Sequence, residues 1–356
     1  MSRALPQLAL ALVGFGNVGR RFVRLLDEAA DRLSFDWRIA AIATRYHGSV
    51  VDPAGVDAGR AIATVRASQS LDRLDRSPRE RSGIDVIRQV TDALADEAAD
   101  GRLVVIETTV LDIERGEPAV AHVRSSLEGL AHVITTNKAP VAFAYDELEA
   151  LAEGVDRVFF FEGTVMDGVP VFNLVRETMP AVTIAGFRGI INTTCQHALS
   201  AIERGVPLEL AVAEMQARGI AEADPSHDLD GWDAAAKTAA LVNVLMNGGI
   251  SPHDVIRCGI RDIPPGEVVE AVSEGRRIRL VASASRHAGR LEARVEPELL
   301  DPGDPLASLG PTENALFLHT DLLGDVGVIQ RSSSVTQTAY AVLSDLTHIS
   351  QRLRLL

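Results

Sequence analysis

Residues 222–237 read Glu-Ala-Asp-Pro-Ser-His-Asp-Leu-Asp-Gly-Trp-Asp-Ala-Ala-Ala-Lys, five carboxylates and one lysine running into an apolar stretch. From Trp232 the run WDAAAKTAALVNVLMN has helical composition, with Asp230 or Gly231 near its start and Gly248-Gly249 ending it. Asp233 and Lys237 then share one helix face. A surface ion pair would be followed by a solvated stem, but Thr238-Ala239-Ala240-Leu241-Val242 is too apolar for one. Lys237 is therefore expected where an apolar helix meets a cavity. A lysine held near carboxylates in such a place can polarise a carbonyl and exchange a proton with it, as reduction of a carbonyl requires.

A second chemical signal lies near the N-terminus. The strand-like run Leu8 to Val13 leads directly into Gly14-Phe15-Gly16-Asn17-Val18-Gly19, and residues 20–26 follow with helical spacing. This is the strand–glycine loop–helix arrangement that binds dinucleotides. Gly14 permits the tight turn, Gly16 lets backbone N–H groups approach a pyrophosphate, and Gly19 allows close helix–strand packing. The next strand, Trp37 to Ala43, ends in Thr44-Arg45-Tyr46-His47-Gly48 without a carboxylate for a ribose 2′-hydroxyl. That favours NADP over NAD, with Arg45 on the 2′-phosphate.

Strand and helix patterns alternate up to about residue 150: a helix over Asp85–Glu97, a buried strand over Leu103–Glu107, a helix over Pro118–Leu130 and a strand over His132–Thr135. Such alternation predicts a parallel sheet, whose ligands bind beyond the strand C-termini. Thr108 and Lys138 fall at two such ends. Later segments read as a strand (Ala185–Asn192), helices (Gln196–Glu203 and Leu208–Ala217), two alternating runs suggesting antiparallel strands (278–285 and 291–295), a loop (Gly303–Pro311) and a closing helix (Thr336–Arg352). The fold class expected is α/β: an N-terminal Rossmann dinucleotide-binding domain over 1–150, completed by helix 335–356, and an α+β second domain over 151–334.

Composition bounds the function. At 356 residues, with 46% hydrophobic, the chain has material for two cores. Its 49 acidic against 35 basic residues give a net charge of −14, which offers no electrostatic support for nucleic acid or an anionic membrane. Cys195 and Cys258 lack zinc-ligand spacing and indicate no disulfide framework. Ser226-His227-Asp228 is a poor triad, since adjacent residues rarely form one. With no signal or membrane segment expected, the location expected is cytoplasmic.

The motifs, taken together, resemble the homoserine dehydrogenase family over nearly the whole chain. GFGNVG at 14–19, TTNKAPVA at 135–142, FEGTVMDGVPV at 161–171, IINTT at 190–194 and EADPSHDLDGWDAAAK at 222–237 occur in that family's order. The resemblance implies the reaction of L-homoserine with NAD(P)+ to give L-aspartate 4-semialdehyde and NAD(P)H, in threonine and methionine biosynthesis, by a homodimer. By matching positions, Lys237 and Lys138 handle the reacting oxygen and Asp228 supports them. Glu222 takes the substrate amino group, Asp233 anchors the substrate, and Thr194 offers a donor to its carboxylate. Glu162, Val165 and Asp167 fall on a loop that holds a monovalent cation, Na+ or K+, in the family. The regulatory domain of longer relatives is expected to be absent, and cooperative inhibition by threonine with it.

Two stretches depart from the family. Where its members usually read N-G-T-T-N-Y, this chain has Asn192-Thr193-Thr194-Cys195-Gln196-His197. The glycine-rich loop before the last helix is Arg331-Ser332-Ser333-Ser334-Val335-Thr336-Gln337-Thr338-Ala339, with its glycines replaced. Two alternatives to a homoserine substrate follow: a dehydrogenase of the same fold acting on another hydroxy amino acid or semialdehyde, and a noncatalytic dinucleotide sensor. The sensor has no reason to keep the acid–lysine block.

Overall fold

The computed structural model of the chain describes residues 5–217 and 224–355. Two compact units divide the chain. The first draws on residues 1–140, 144–170 and 334–356, the second on 141–143 and 171–333.

In the first unit β1 (Gln7–Val13) is followed by α1 (Asn17–Ala29), β2 (Asp36–Ala43), β3 (Ser49–Val51) and α2 (Ala58–Arg66). Then come α3 (Gly83–Ala93), α4 (Ala95–Ala99), β4 (Leu103–Glu107), α5 (Ala119–Glu128), β5 (His132–Thr135), α6 (Ala139–Gly154) and β6 (Phe159–Phe160). The sheet order is β3-β2-β1-β4-β5-β6. All neighbours are parallel except β2 and β3, which form a hairpin. Parallel strands covered on both faces read as continuous apolar runs, and β4 and β5 are buried at every position. The single helix expected over 85–97 is instead two. Leu94, only 7% exposed, leaves helical geometry at φ −119°, ψ 34°, turning its side chain into the core and redirecting α4 so that Ala98 is buried too.

The second unit contains α7 (Phe172–Thr178), β7 (Ile184–Ile190), α8 (Thr193–Ile202), α9 (Leu208–Ala217), α10 (Ser226–Leu229) and α11 (Trp232–Met246). It continues through β8 (Ile256–Arg257), α12 (Pro265–Ser273), β9 (Arg277–His287), β10 (Arg290–Leu300), β11 (Asn314–Thr320) and β12 (Gly324–Gln330). Its sheet has the order β12-β11-β7-β9-β10-β8, antiparallel apart from the short β8–β10 pair. The closing helix α13 (Val335–Leu355) returns to the first unit. There Ala339, Val342, Leu343, Leu346 and Ile349 share one core with Phe22, Val23 and Leu26 of α1. Among the described residues no helix is long and apolar enough to cross a membrane.

Candidate active site

The glycine loop of the first unit is built for close backbone approach. Gly14 sits at φ +95°, and a Cβ there would lie 2.6 Å from the backbone carbon and oxygen of Thr108. The Thr108 hydroxyl donates to the Gly14 carbonyl at 2.9 Å, so two strand ends close on each other. A Cβ on Gly19 would meet the Gly14 oxygen at 2.9 Å. Gly16 faces open space, with nothing within 4 Å of its Cβ position. It is the N-cap of α1 and supplies no side chain to the first-turn N–H groups, which leaves them to a ligand. Asn17 opens α1 and accepts from Arg20 at 3.0 Å, and Val18 follows it. This cradle fits a dinucleotide pyrophosphate. Arg45 stands exposed at the β2–β3 turn, its guanidinium 5.4 Å from the Tyr46 ring.

At the ends of β4 and β5 a buried carboxylate braces the loops. Glu107, fully buried, accepts from the Thr109 amide at 3.1 Å, from the Thr109 hydroxyl and from Thr135 Oγ1 at 2.9 Å. Asn137 donates to the Thr109 and Val110 carbonyls, both at 3.2 Å. Lys138 comes next, half-buried at the N-cap of α6.

The loop carrying Glu162, Val165 and Asp167 also lies in the first unit. Glu162 and Val165 are 4% and 3% exposed. The Glu162 amide donates to Asp345 at 3.1 Å, and Thr338 donates to Asp167 at 2.9 Å, so α13 fixes both ends of the loop. Carboxylate and backbone carbonyl oxygens are the kinds of donor a hard cation takes. Among the described residues no group of three or more His, Cys, Asp or Glu could hold a metal by side chains alone.

The acid–lysine block is in the second unit. Gly231, at φ +81°, forms the N-cap of α11, and the helix stops at Asn247, also left-handed at φ 48°. Between them nearly every residue except Asp233 and Lys237 is apolar or buried. Lys237 Nζ lies 2.9 Å from Asp233 Oδ2, and the two side chains are only 15% and 17% exposed. The same ammonium donates to the Ile191 carbonyl at 2.7 Å. Asn192 donates through Nδ2 to Asp228 Oδ1 at 2.7 Å and to Asp233 Oδ2 at 2.9 Å. Asp228 is thereby brought beside Asp233 and Lys237.

Burial, with the Asp233 charge second, pushes the Asp228 carboxyl above the ordinary carboxylate range, while hydrogen bonds from Asn192 and Thr194 and the Lys237 charge oppose it. Thr194, itself buried, faces Asp228 as well. The Cys195 thiol is pushed well above its usual value by burial and the nearby aspartates, and its Sγ–H donates to the Asp228 carbonyl at 3.1 Å. Glu222 lies outside the described residues. Asn192 and the Ile191 carbonyl were not among the candidate residues, and the β7–α8 turn that carries them is what grips the block.

A parallel sheet with a glycine loop, joined in one chain to a half-buried acid–lysine cluster, defines a dinucleotide-dependent oxidoreductase. The comparisons make the class specific. The family model for homoserine dehydrogenase matches residues 170–347. An NAD(+)-dependent homoserine dehydrogenase of Pseudomonas canavaninivorans is 36% identical over 352 residues, 98% of this chain and 97% of the relative. A homoserine dehydrogenase of Methanocaldococcus jannaschii is 35% identical over 96% of this chain and 98% of its own. Among solved structures, a hyperthermophilic archaeal homoserine dehydrogenase in complex with NADPH superposes with a TM-score of 0.79 at 26% identity, covering 97% of this chain and 98% of that one. The chain belongs to the homoserine dehydrogenase family.

Proposed function

We propose that the chain interconverts L-homoserine and L-aspartate 4-semialdehyde, with NADP preferred over NAD. The observation that carries the reading is Lys237, a half-buried lysine pinned by Asp233 at 2.9 Å and by the Ile191 carbonyl at 2.7 Å. An ammonium has three hydrogens, and two are engaged in holding it. The third is available to the substrate oxygen.

Bound NAD(P)+ supplies the hydride acceptor for alcohol oxidation and NAD(P)H the donor for the reverse. Gly14, Gly16, Asn17, Val18 and Gly19 would hold the pyrophosphate, with Thr108 closing the loop and Arg45 on the 2′-phosphate. In the reductive direction Lys237 donates to the carbonyl oxygen, stabilises the charge that develops on it and delivers the proton. Asp228 supports the lysine, Glu222 takes the substrate amino group, Asp233 anchors the substrate, and Thr194 with nearby backbone N–H groups meets the carboxylate. Glu162, Val165 and Asp167 would hold a monovalent cation that stiffens their loop. A homodimer is supported by the second sheet, whose strands leave Ile256, Leu299 and Ile329 about half exposed, and the acidic balance of the chain fits a cytoplasmic enzyme.

The test is homoserine-dependent reduction of NADP+ and NAD+ by the purified chain, set beside a panel of other hydroxy amino acids. Turnover with homoserine and a lower KM for NADP+ are expected. Turnover only with another member of the panel would reassign the substrate and leave the oxidoreductase class intact.

A further inference from the structure

We propose that Asn192 is the positioning residue of the acid–lysine cluster, a single amide that fixes the Asp228 and Asp233 carboxylates around Lys237. The inference deepens the dehydrogenase reading and rests on it. Asn192 is 4% exposed and engaged at both ends. Its Oδ1 accepts from the Cys195 amide at 2.8 Å as the N-cap of α8, which settles the orientation of the amide. Both Nδ2 hydrogens then face acids, Asp228 Oδ1 at 2.7 Å and Asp233 Oδ2 at 2.9 Å. Those acids come from different helices, α10 and α11. The preceding residue, Ile191, holds Lys237 through its carbonyl, so two consecutive residues grip the lysine and both of its carboxylates.

An amide suits this place because it offers two donors and does not titrate. A carboxylate here would add a third negative charge, and a hydroxyl could serve one acid at most. Other groups surround the pair. Lys237 pairs with Asp233, Thr194 faces Asp228, and the Cys195 thiol sits against the Asp228 carbonyl. Asp230 is turned away to Arg261 at 2.7 Å, and Arg257 reaches the Asp230 carbonyl. Hydrogen bonds from Asn192 favour the ionised form of Asp228 against burial and the Asp233 charge.

Asn192→Ser and Asn192→Asp separate this role from helix capping, since Ser and Asp are both good N-caps while neither replaces the two donors. Asn192→Ser should lower kcat/KM for homoserine by about 10- to 100-fold, with Asn192→Asp lower still, while the Kd for NADPH, read by fluorescence, stays unchanged. The acidic limb of the kcat/KM–pH profile should move to higher pH, because losing a donor raises a carboxylate pKa.

A stability measurement reads the same clamp without turnover. A carboxyl whose folded pKa is raised contributes stability below its unfolded pKa and loses it as pH rises through the folded value. Loss of the donors raises that value further, so the Tm deficit of Asn192→Ser should widen as pH rises above the ordinary carboxylate range. A deficit constant with pH and an unmoved activity profile would show Asn192 to be a cap alone and overturn the proposal. Absence of homoserine turnover in the unsubstituted chain would instead sink the homoserine reading, with the Tm series still deciding whether the clamp exists.

Discussion

Replacing Lys237 by Met tests the chemistry most directly, because the two side chains have similar length and the helix is otherwise apolar. Two losses should follow and be separable. The first is catalytic: a positioned acid–base group contributes about 10²–10⁴-fold to kcat, or about 3–5 kcal/mol of barrier. The second is structural. Lys237 donates to Asp233 at 2.9 Å and to Ile191 O at 2.7 Å in a site where it is 15% exposed, so both acceptors lose a donor. Asp233 keeps Asn192 as a donor. The Ile191 carbonyl loses the ammonium, which sets the folding cost near 1–3 kcal/mol.

The assay is steady-state NAD(P)H formation beside urea unfolding of the same preparation, with homoserine deuterated at the carbon that loses hydride. A larger kinetic isotope effect in Lys237→Met than in the parent chain shows that the chemical step now limits turnover. Lys237→Arg keeps a positive charge but cannot release a proton near neutral pH, so it should bind substrate while staying nearly as slow. A folded Lys237→Met chain whose kcat falls by less than about threefold would refute the assignment, since that is below the contribution of any positioned proton donor. The proton would then belong to Lys138.

Three further outcomes are expected. Burial, reinforced by Arg157 and Arg352 against an opposing hydrogen bond to Gly101, lowers the His132 pKa from 6.5 to about 4; stability should therefore fall as pH drops through that window, by about 3 kcal/mol at about 1.4 kcal/mol per pH unit. His132→Gln, whose amide oxygen can still accept from the Val158 amide, should flatten that loss in urea titrations, and parallel pH curves for the two chains would contradict it. Gly14→Ala places a methyl against the Thr108 backbone at φ +95° and should weaken NAD(P)H binding at least about tenfold by fluorescence titration, through strain of about 1–2 kcal/mol and a displaced turn. Arg45→Ala should raise the KM for NADP+ more than for NAD+, and an equal change for both would remove Arg45 from the 2′-phosphate.

Local signals in the sequence were legible wherever one segment settles its own structure. The glycine loop is such a case: the positive-φ turn at Gly14, the bare N-cap at Gly16 and the tight packing at Gly19 each answer to a residue type in the motif. The helix from Trp232 and the buried strands β4 and β5 were equally plain, because an Ala-rich run and continuous apolar runs admit few alternatives. The break at Leu94 was hidden, since leucine is a good helix former and only the core behind it turns it inward. Strands β11 and β12 were also missed. Gly324 and Gly327 interrupt the β12 pattern, and that strand leaves most residues at least partly exposed, so alternation is faint.

The functional site divides along the same line. Asp233 and Lys237 are neighbours on one helix, and their pairing follows from spacing alone. What turns that pair into a site is a contact between segments separated in sequence by 36 and 41 positions, Asn192 to Asp228 and Asn192 to Asp233. An asparagine ahead of Thr193-Thr194-Cys195 is readable as an N-cap, because capping is local. The other end of the same amide is not readable, because it depends on where tertiary folding brings α10 and α11. In this chain the residue types proposed for the chemistry are announced by spacing, whereas the group proposed to orient them carries only a capping signal. The departures from the family motif at Thr193 and Cys195 fall beside Asn192 and leave it in place. With Asn192 present, the Asp228 and Asp233 carboxylates keep their common donor whatever side chains follow it.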